Sequence, residues 1–548
     1  MSTSSKDADP KDVELRVLKV EEQADAPADA PVYITGFKLV LVMIALMISF
    51  LLINLDQTII ATALPRIVSV FNALDLVTWV AAAYFLTQAG LMLVVGQLIS
   101  IIPIKPVFLL SIILFEIGSV LCGAAPSMEV LIFGRAVAGC GAAGIAICVL
   151  GTISTLTRLE DRPILLAVFG AVLGMASILG PILGGAFTDH VSWRWCFYIN
   201  LPFGAISFVA MVLWLPNRTP PGVVKTGSTF SILKRNLDWV GSLLCLGLST
   251  CIVLGLTWGG AVKPWKSFDV LFPLSLAGVL IIAFVFWEMR QGDQALVPLS
   301  LFTRRTHTGA CLEGLWLLTA MIVTTYYLPL WYQINGKTSI QSGVAILPTM
   351  LSYVIAACVS SGIASATGHY WIFLAVSPLL SVAGSALLYK GSAFTSSARL
   401  LGYQILVGAG LGSSFQLTFI SLQAEWAEDP DKITQASAIL TFMSTFGGLV
   451  GISIAGTLYN NRLATNLAKI PDIAPDTLKA LTESITVIAT LPEPLRSEAR
   501  VASVDSLLPV FLIPLVVSVL GSLCSGMIKS YNLKERSALI ARKDNEEE

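Results

Sequence analysis

Residues 37–65 read FKLVLVMIALMISFLLINLDQTIIATALP, with Lys38 and Asp56 as their only charges. The stretch is longer than the roughly 20 apolar residues a helix needs to cross bilayer hydrocarbon. It reads as a membrane span. Asp56 then needs a reason, because a lone carboxylate in hydrocarbon costs several kcal/mol unless it is paired or neutralised.

The rest of the chain extends that reading. Its 548 residues are 55% hydrophobic and 13% charged, with mean hydropathy +0.79. Soluble domains carry about 25% charged residues, so a soluble fold is excluded. The net charge of −1 gives no reason to expect nucleic-acid binding.

Further apolar windows fall near 77–100, 105–125, 129–151, 163–187 and 195–215. Two more lie near 238–259 and 269–289. The last six lie near 308–332, 341–365, 371–390, 398–422, 434–457 and 506–528. The expected fold is an all-α polytopic membrane protein: two six-helix bundles, 37–215 and 308–529, and two extra central helices, fourteen transmembrane helices in all. The pair sits in segment 216–307, which opens with the polar linker PNRTPPGVVKTGSTFSILKRN. Residues 1–36 read as a disordered cytoplasmic tail and 530–548 as a second tail. With both tails inside, the inner segments hold more Lys and Arg than the outer ones, and loop 458–504 falls outside. Two similar blocks are the signature of transporters built from internal repeats.

Arg135, in LIFGRAVAGCGAAG, lies in the fourth span at a depth comparable to that of Asp56 in the first. Facing side chains would remove two desolvation penalties together, and protonating the acid would release the Arg. A static ion pair, or an Asp capping its helix, explains the same residues. Glu313, in TGACLEGLWLL, and Glu116, in ILFEIGS, are also mid-span; either could carry a proton, though Glu116 reads more simply as a hydrogen-bonded structural carboxyl. Asp238, Glu288 and Asp505 fall at span ends, where charge is cheap, and are expected at the interface.

Tyr326, Tyr327, Trp331 and Tyr332 close the ninth span. They read as an interfacial aromatic belt or as a wall for a flat amphiphile, with Gln333, Gln341 and Gln416 as orienting groups. Within GAVLGMASILGPILGG, Gly180, Pro181, Gly184 and Gly185 favour close helix approach and local bending.

Enzyme chemistry has little footing. The three histidines, His190, His307 and His369, lack metal-ligand spacing, so no metal or cofactor is expected. Gly336-Lys337-Thr338 resembles a phosphate loop, but Trp331 stands where that motif needs Gly. The nine cysteines include no CxxC pair, and a Cys122–Cys196 disulfide near the outer face is disfavoured.

These motifs resemble the major facilitator superfamily, specifically its fourteen-span drug:proton antiporters, and most of all the fungal toxin-efflux pumps. LDQTIIATALP carries the first-span motif through Leu55, Asp56, Thr58, Ala63, Leu64 and Pro65. GRAVAGCGAA carries the fourth-span motif through Arg135, Gly139, Gly141 and Ala142, and GPILGG carries the antiporter motif. WRWCFYINLPFG at 193–204 and YYLPLWYQINGKTSIQSGVAILP at 326–348 are similar to the family's segments. The resemblance implies a major facilitator fold, proton coupling through Arg135 and a proton-linked cavity residue in Asp56. The family's loop between the second and third spans survives here only as Gly96 and Lys105, with Ser100 in place of its Asp, so its gating salt bridge is not carried over.

The resulting expectation is a proton-coupled exporter of an amphiphilic organic compound, monomeric, multi-pass and in the plasma membrane. Siderophore transport, transport of a basic amino acid across a vacuolar membrane, or a non-transporting sensor are the alternatives.

Overall fold

The computed structural model describes residues 37–536, apart from 72, 74–75, 157–161, 218–236, 260–262, 293–294, 472 and 484. The tail at 1–36 and most of the linker after the sixth span lie outside the described residues.

Fourteen helices are long and apolar enough to cross a membrane. The first six are α1 (Phe37–Phe71), α2 (Val77–Ile101), α3 (Ile104–Ala124), α4 (Met128–Leu156), α5 (Arg162–His190) and α6 (Asn200–Trp214). The central pair is α7 (Trp239–Trp258) and α8 (Phe268–Gln291). The last six are α9 (Arg305–Ile334), α10 (Leu347–Thr367), α11 (Trp371–Tyr389), α12 (Ser397–Glu425), α13 (Pro430–Leu467) and α14 (Leu512–Cys524), the last being part of the near-continuous helical run Leu495–Met527 that makes up its span. Helices are forced on these segments because hydrocarbon offers no partner to an unpaired backbone group. Below, "basal" means the end at which α1 starts and "apical" the opposite end.

The two six-helix blocks repeat one packing scheme. In the first, α1 packs on α5, while α2 and α3 pack on α4; in the second, α9 packs on α13, while α10 and α11 pack on α12. Equivalent glycines make equivalent approaches. A Cβ on Gly139 of α4 would lie 2.3 Å from the Tyr84 carbonyl of α2, and one on Gly408 of α12 would lie 2.1 Å from the Thr349 carbonyl of α10. Lipid supplies no hydrophobic drive between helices, so close backbone contact takes its place.

α7 bridges the two blocks. Leu246 fills the groove over Gly90 of α2, the Asp238 amide donates to Gln97 Oε1 of α2 (3.0 Å), and Thr457 of α13 donates to the Leu256 carbonyl (2.6 Å). The basal tie goes to one bundle and the apical tie to the other. α8 packs mainly on α7 and leaves Val279, Ile282, Phe286 and Met289 exposed, as a lipid-facing helix would.

This pairing adds something the sequence did not indicate. Asp238 and Glu288 lie at helix ends, yet they are enclosed by protein, 5% and 1% exposed. Asp238 caps α7 through the Gly241 amide (2.8 Å) and accepts from Trp287 Nε1 (2.8 Å), while Glu288 accepts from the Val297 amide (2.8 Å). Asp505 is exposed.

The segment after α13 is also more ordered than a loop. Helices Pro475–Glu483 and Leu495–Leu507 fold onto the apical end of the second bundle, where Leu481, Ile488, Ala499 and Val504 share a core with Trp331 and Phe511. At the basal end, residues following α14 pack back onto the bundle: Tyr531 donates to Glu425 (2.9 Å) and the Leu533 amide to the Gly368 carbonyl (3.0 Å). Cys122 and Cys196 are both buried free thiols.

Two substitutions on α12 separate packing from propensity. Gly408→Val, which drives branched carbons into α10, is expected to abolish monodisperse folded protein. Gly402→Ala, with nothing within 4 Å of the new Cβ, is expected to be neutral or to gain about 0.5–1 kcal/mol. Size-exclusion profile and thermal unfolding of the purified protein check both.

Candidate functional site: a buried ion pair behind the seam cavity

α1 turns one face to the cavity between the bundles and another into its own bundle. Asp56 lies on the inward face. Its Oδ2 accepts from Arg135 Nη1 of α4, and both residues are 1% exposed. Arg135 Nε donates to the Val80 carbonyl (3.1 Å), and the guanidinium stacks over the Tyr84 ring at 4.2 Å. Asn200, at the start of α6, donates through Nδ2 to Asp56 Oδ1 (3.4 Å) and to Ser119 Oγ (3.1 Å). Tyr84 in turn donates to the Ile53 carbonyl (3.2 Å). Every charge in this group meets an opposite charge, a dipole or an aromatic face, which is what burial demands.

The expected pairing of Asp56 with Arg135 is therefore present. The carboxylate does not line the cavity, however; its neighbours Ile53, Asn54, Gln57 and Thr58 do. Cavity chemistry can reach Asp56 only through movement of α1.

The cavity has a volume of about 140 Å³ and takes residues from α1, α2, α4, α5, α9, α12 and α13. Drug-sized ligands occupy roughly 300–1,000 Å³, so this is a contracted state and loading requires the bundles to part. Apically the seam is closed by Tyr326, whose hydroxyl donates to the Gln57 carbonyl (3.1 Å), and by Pro181 of α5 against Gly343. Basally it is closed where Gly96 of α2 meets Ala438 of α13 and where Thr445 reaches Met92 Sδ (3.5 Å).

The Gly180–Gly185 segment of α5 has two faces. A Cβ on Gly180 or Gly184 would strike Thr58, Ile59 or Thr62 of α1, and Thr58 donates to the Ala176 carbonyl across the same contact (2.9 Å). Pro181 and Gly185, one position further round the helix, meet Gly343 and Ile340 of the opposite bundle. α5 thus touches the helix that carries Asp56 on one side and the other bundle on the adjacent side.

Other expected site residues divide by helix rotation. Tyr326 and Gln416 line the cavity. Tyr327 instead packs edge-on to Tyr459 (6.1 Å), Trp331 packs on Phe511 (5.7 Å), and Gln333 donates to Ser342 (3.1 Å). Each residue turns a helix by about 100°, so neighbours of Tyr326 point elsewhere. Glu313 is 0% exposed, away from the cavity, and neither carboxyl oxygen has a hydrogen-bond partner; a charge there would be uncompensated. Glu116 lies against Gly204 of α6, its oxygens likewise unpartnered. Lys105 donates to the Val212 carbonyl (2.7 Å) and so caps α6. Sequence reasoning missed Tyr84, Gln88, Asn200 and the cavity phenylalanines. Gln88 and Asn200 carried a usable signal, a polar residue within an apolar window.

Removing one partner of the buried pair leaves the other charge stranded. Arg135→Ala or Asp56→Asn alone is expected to cost about 3–5 kcal/mol, and Asp56→Asn combined with Arg135→Gln to recover most of it. Thermal unfolding of the purified variants checks this; a double variant no more stable than either single would refute the pairing.

The family model described as Major Facilitator Superfamily matches residues 46–452. An MFS-type transporter, astH, of Aspergillus oryzae is 38% identical over 82% of this chain and 79% of its own. An aspyridones efflux protein of Neocamarosporium betae is 33% identical over 95% and 92%, and an efflux pump, aunC, of Aspergillus niger 37% over 81% and 78%. Among solved structures, the human organic anion transporter MFSD10 (TETRAN) aligns with a TM-score of 0.55 at 13% identity, covering 88% of this chain and 100% of that one, which supports the fold alone. Fourteen apolar helices, a repeated bundle and these matches lead to one conclusion: the chain belongs to the Major Facilitator Superfamily.

Proposed function

We propose that this protein is a proton-coupled exporter of amphiphilic organic compounds, acting in the plasma membrane. The observation that carries the reading is the Asp56–Arg135 pair, buried on the reverse of the helix whose Asn54, Gln57 and Thr58 line the seam cavity. The printed names of several relatives, which describe efflux pumps, support the export direction.

In this reading a proton arriving at Asp56 neutralises the carboxylate and leaves Arg135 with only the Val80 carbonyl, the Tyr84 face and Asn200 nearby. That state favours a different seat for α1. α5 follows, because Gly180 and Gly184 pack on α1, and Pro181 and Gly185 carry the shift to the opposite bundle. Cargo binding favours the proton-free seat. The two sites are coupled through one bistable element, with the coupling free energy the same in both directions. Glu313 is a second carboxyl whose charge state would differ between seats.

Cells expressing the wild type should accumulate less of a fluorescent amphiphile than control cells, and a protonophore should abolish the difference. Asp56→Asn and Arg135→Ala, at equal surface expression, should each reduce efflux at least tenfold. Protonophore-sensitive efflux that survives both substitutions would remove the pair from coupling. No efflux of any compound would reject the export reading.

A further inference from the structure

The cavity wall has a property that the ion pair behind it conceals. Among the described residues that line it, none is Asp, Glu, Lys, Arg or His. The wall interleaves amides with aromatic rings: Asn54, Gln57, Gln88 and Gln416 lie among Phe85, Phe169, Phe415 and Phe419.

Polar groups face the cavity from both bundles. Gln88 accepts from Gln57 Nε2 (3.4 Å) on one side. Gln416 faces it from the other, and the buried Thr325 hydroxyl has no partner among the described residues. Such groups, at a seam that widens to load, are what a polar cargo would satisfy.

We infer that the cargo is uncharged: a molecule with a flat aromatic or fused-ring body that carries neutral hydrogen-bonding groups, the body among the phenylalanines and the polar groups at the amides of α1, α2 and α12. A cation would find ring faces but no carboxylate, and an acid would find amide donors but no guanidinium. In the proton-free state that must bind cargo in an antiporter, Asp56 and Arg135 cancel, so no net charge behind the wall compensates an ionised ligand. Amides serve a neutral ligand best because they donate and accept equally.

One energetic consequence follows, resting on the proton coupling proposed above. If the cargo carries no charge, each exchange moves the proton's charge uncompensated across the membrane. Transport is then electrogenic, and a membrane potential drives it without a pH gradient. Exchange of a monovalent cation for one proton would be electroneutral.

The test uses the full-length protein in liposomes with three naphthalene probes that differ only in a terminal carboxamide, trimethylammonium or carboxylate. Flux is measured under a pH gradient alone and under a potassium–valinomycin potential alone. The carboxamide probe is expected to move at least tenfold faster than either charged probe, and under either gradient. A charged probe moving at the carboxamide's rate would overturn the inference, as would carboxamide flux that responds to pH but not to potential. A carboxamide preference that responds to neither gradient would keep the uncharged cargo and reject proton coupling. Gln88→Glu, and independently Gln416→Glu on the other bundle, should raise the ammonium probe's flux towards that of the carboxamide. Two folded variants that leave the ranking untouched would place the cargo elsewhere.

Discussion

Hydrocarbon gives a polar group no partner, and the arrangement of this protein follows from that single constraint. Backbone amides and carbonyls must be satisfied within each helix, so the chain crosses as fourteen helices. Side-chain charges must be satisfied between helices, so Asp56 of α1 is held by Arg135 of α4, with Asn200 and Tyr84 completing the shell. The pair and its shell tie α1, α2, α4 and α6 of one bundle together at a point just behind the seam.

Beside that point the helices meet by steric contact rather than by charge. α5 presents adjacent faces to α1 and to the opposite bundle, and its glycines remove the side chains that would otherwise hold those surfaces apart. α5 thus joins the helix that carries Asp56 to the other bundle by direct contact. The cavity beside this contact is small and closed at both ends, as expected of an arrangement from which two bundles must separate before anything of ligand size enters.

The central pair adds a restraint to that motion. α7 is tied to α2 near its basal end and to α13 near its apical end, so it crosses the line along which the bundles would part. Its cap explains a pair of buried acidic residues: Asp238 is held by the Gly241 amide of α7 and the Trp287 indole of α8, and Glu288 by the Val297 amide in the segment after α8.

The membrane class, the number of spans, the two-block organisation and the motif residues were all legible in the sequence, because apolar run length and intramembrane charge are one-dimensional signals. Pairing of Asp56 with Arg135 was legible from matching depth. Rotation was not. A helix that is apolar all round carries little amphipathic pattern to say which side faces a neighbour, so Tyr326 and Tyr327 look equivalent in the sequence, yet one closes the cavity and the other packs on Tyr459. The same ambiguity concealed that Asp56 sits behind the cavity wall, that Glu313 faces away from it and that Asp238 is enclosed. The sequence by itself determined which segments enter the membrane and roughly how deep their charged residues lie; only the tertiary structure decided which residues are enclosed and which of them meet, because each residue added turns a helix by about 100° and the facing side is set by packing.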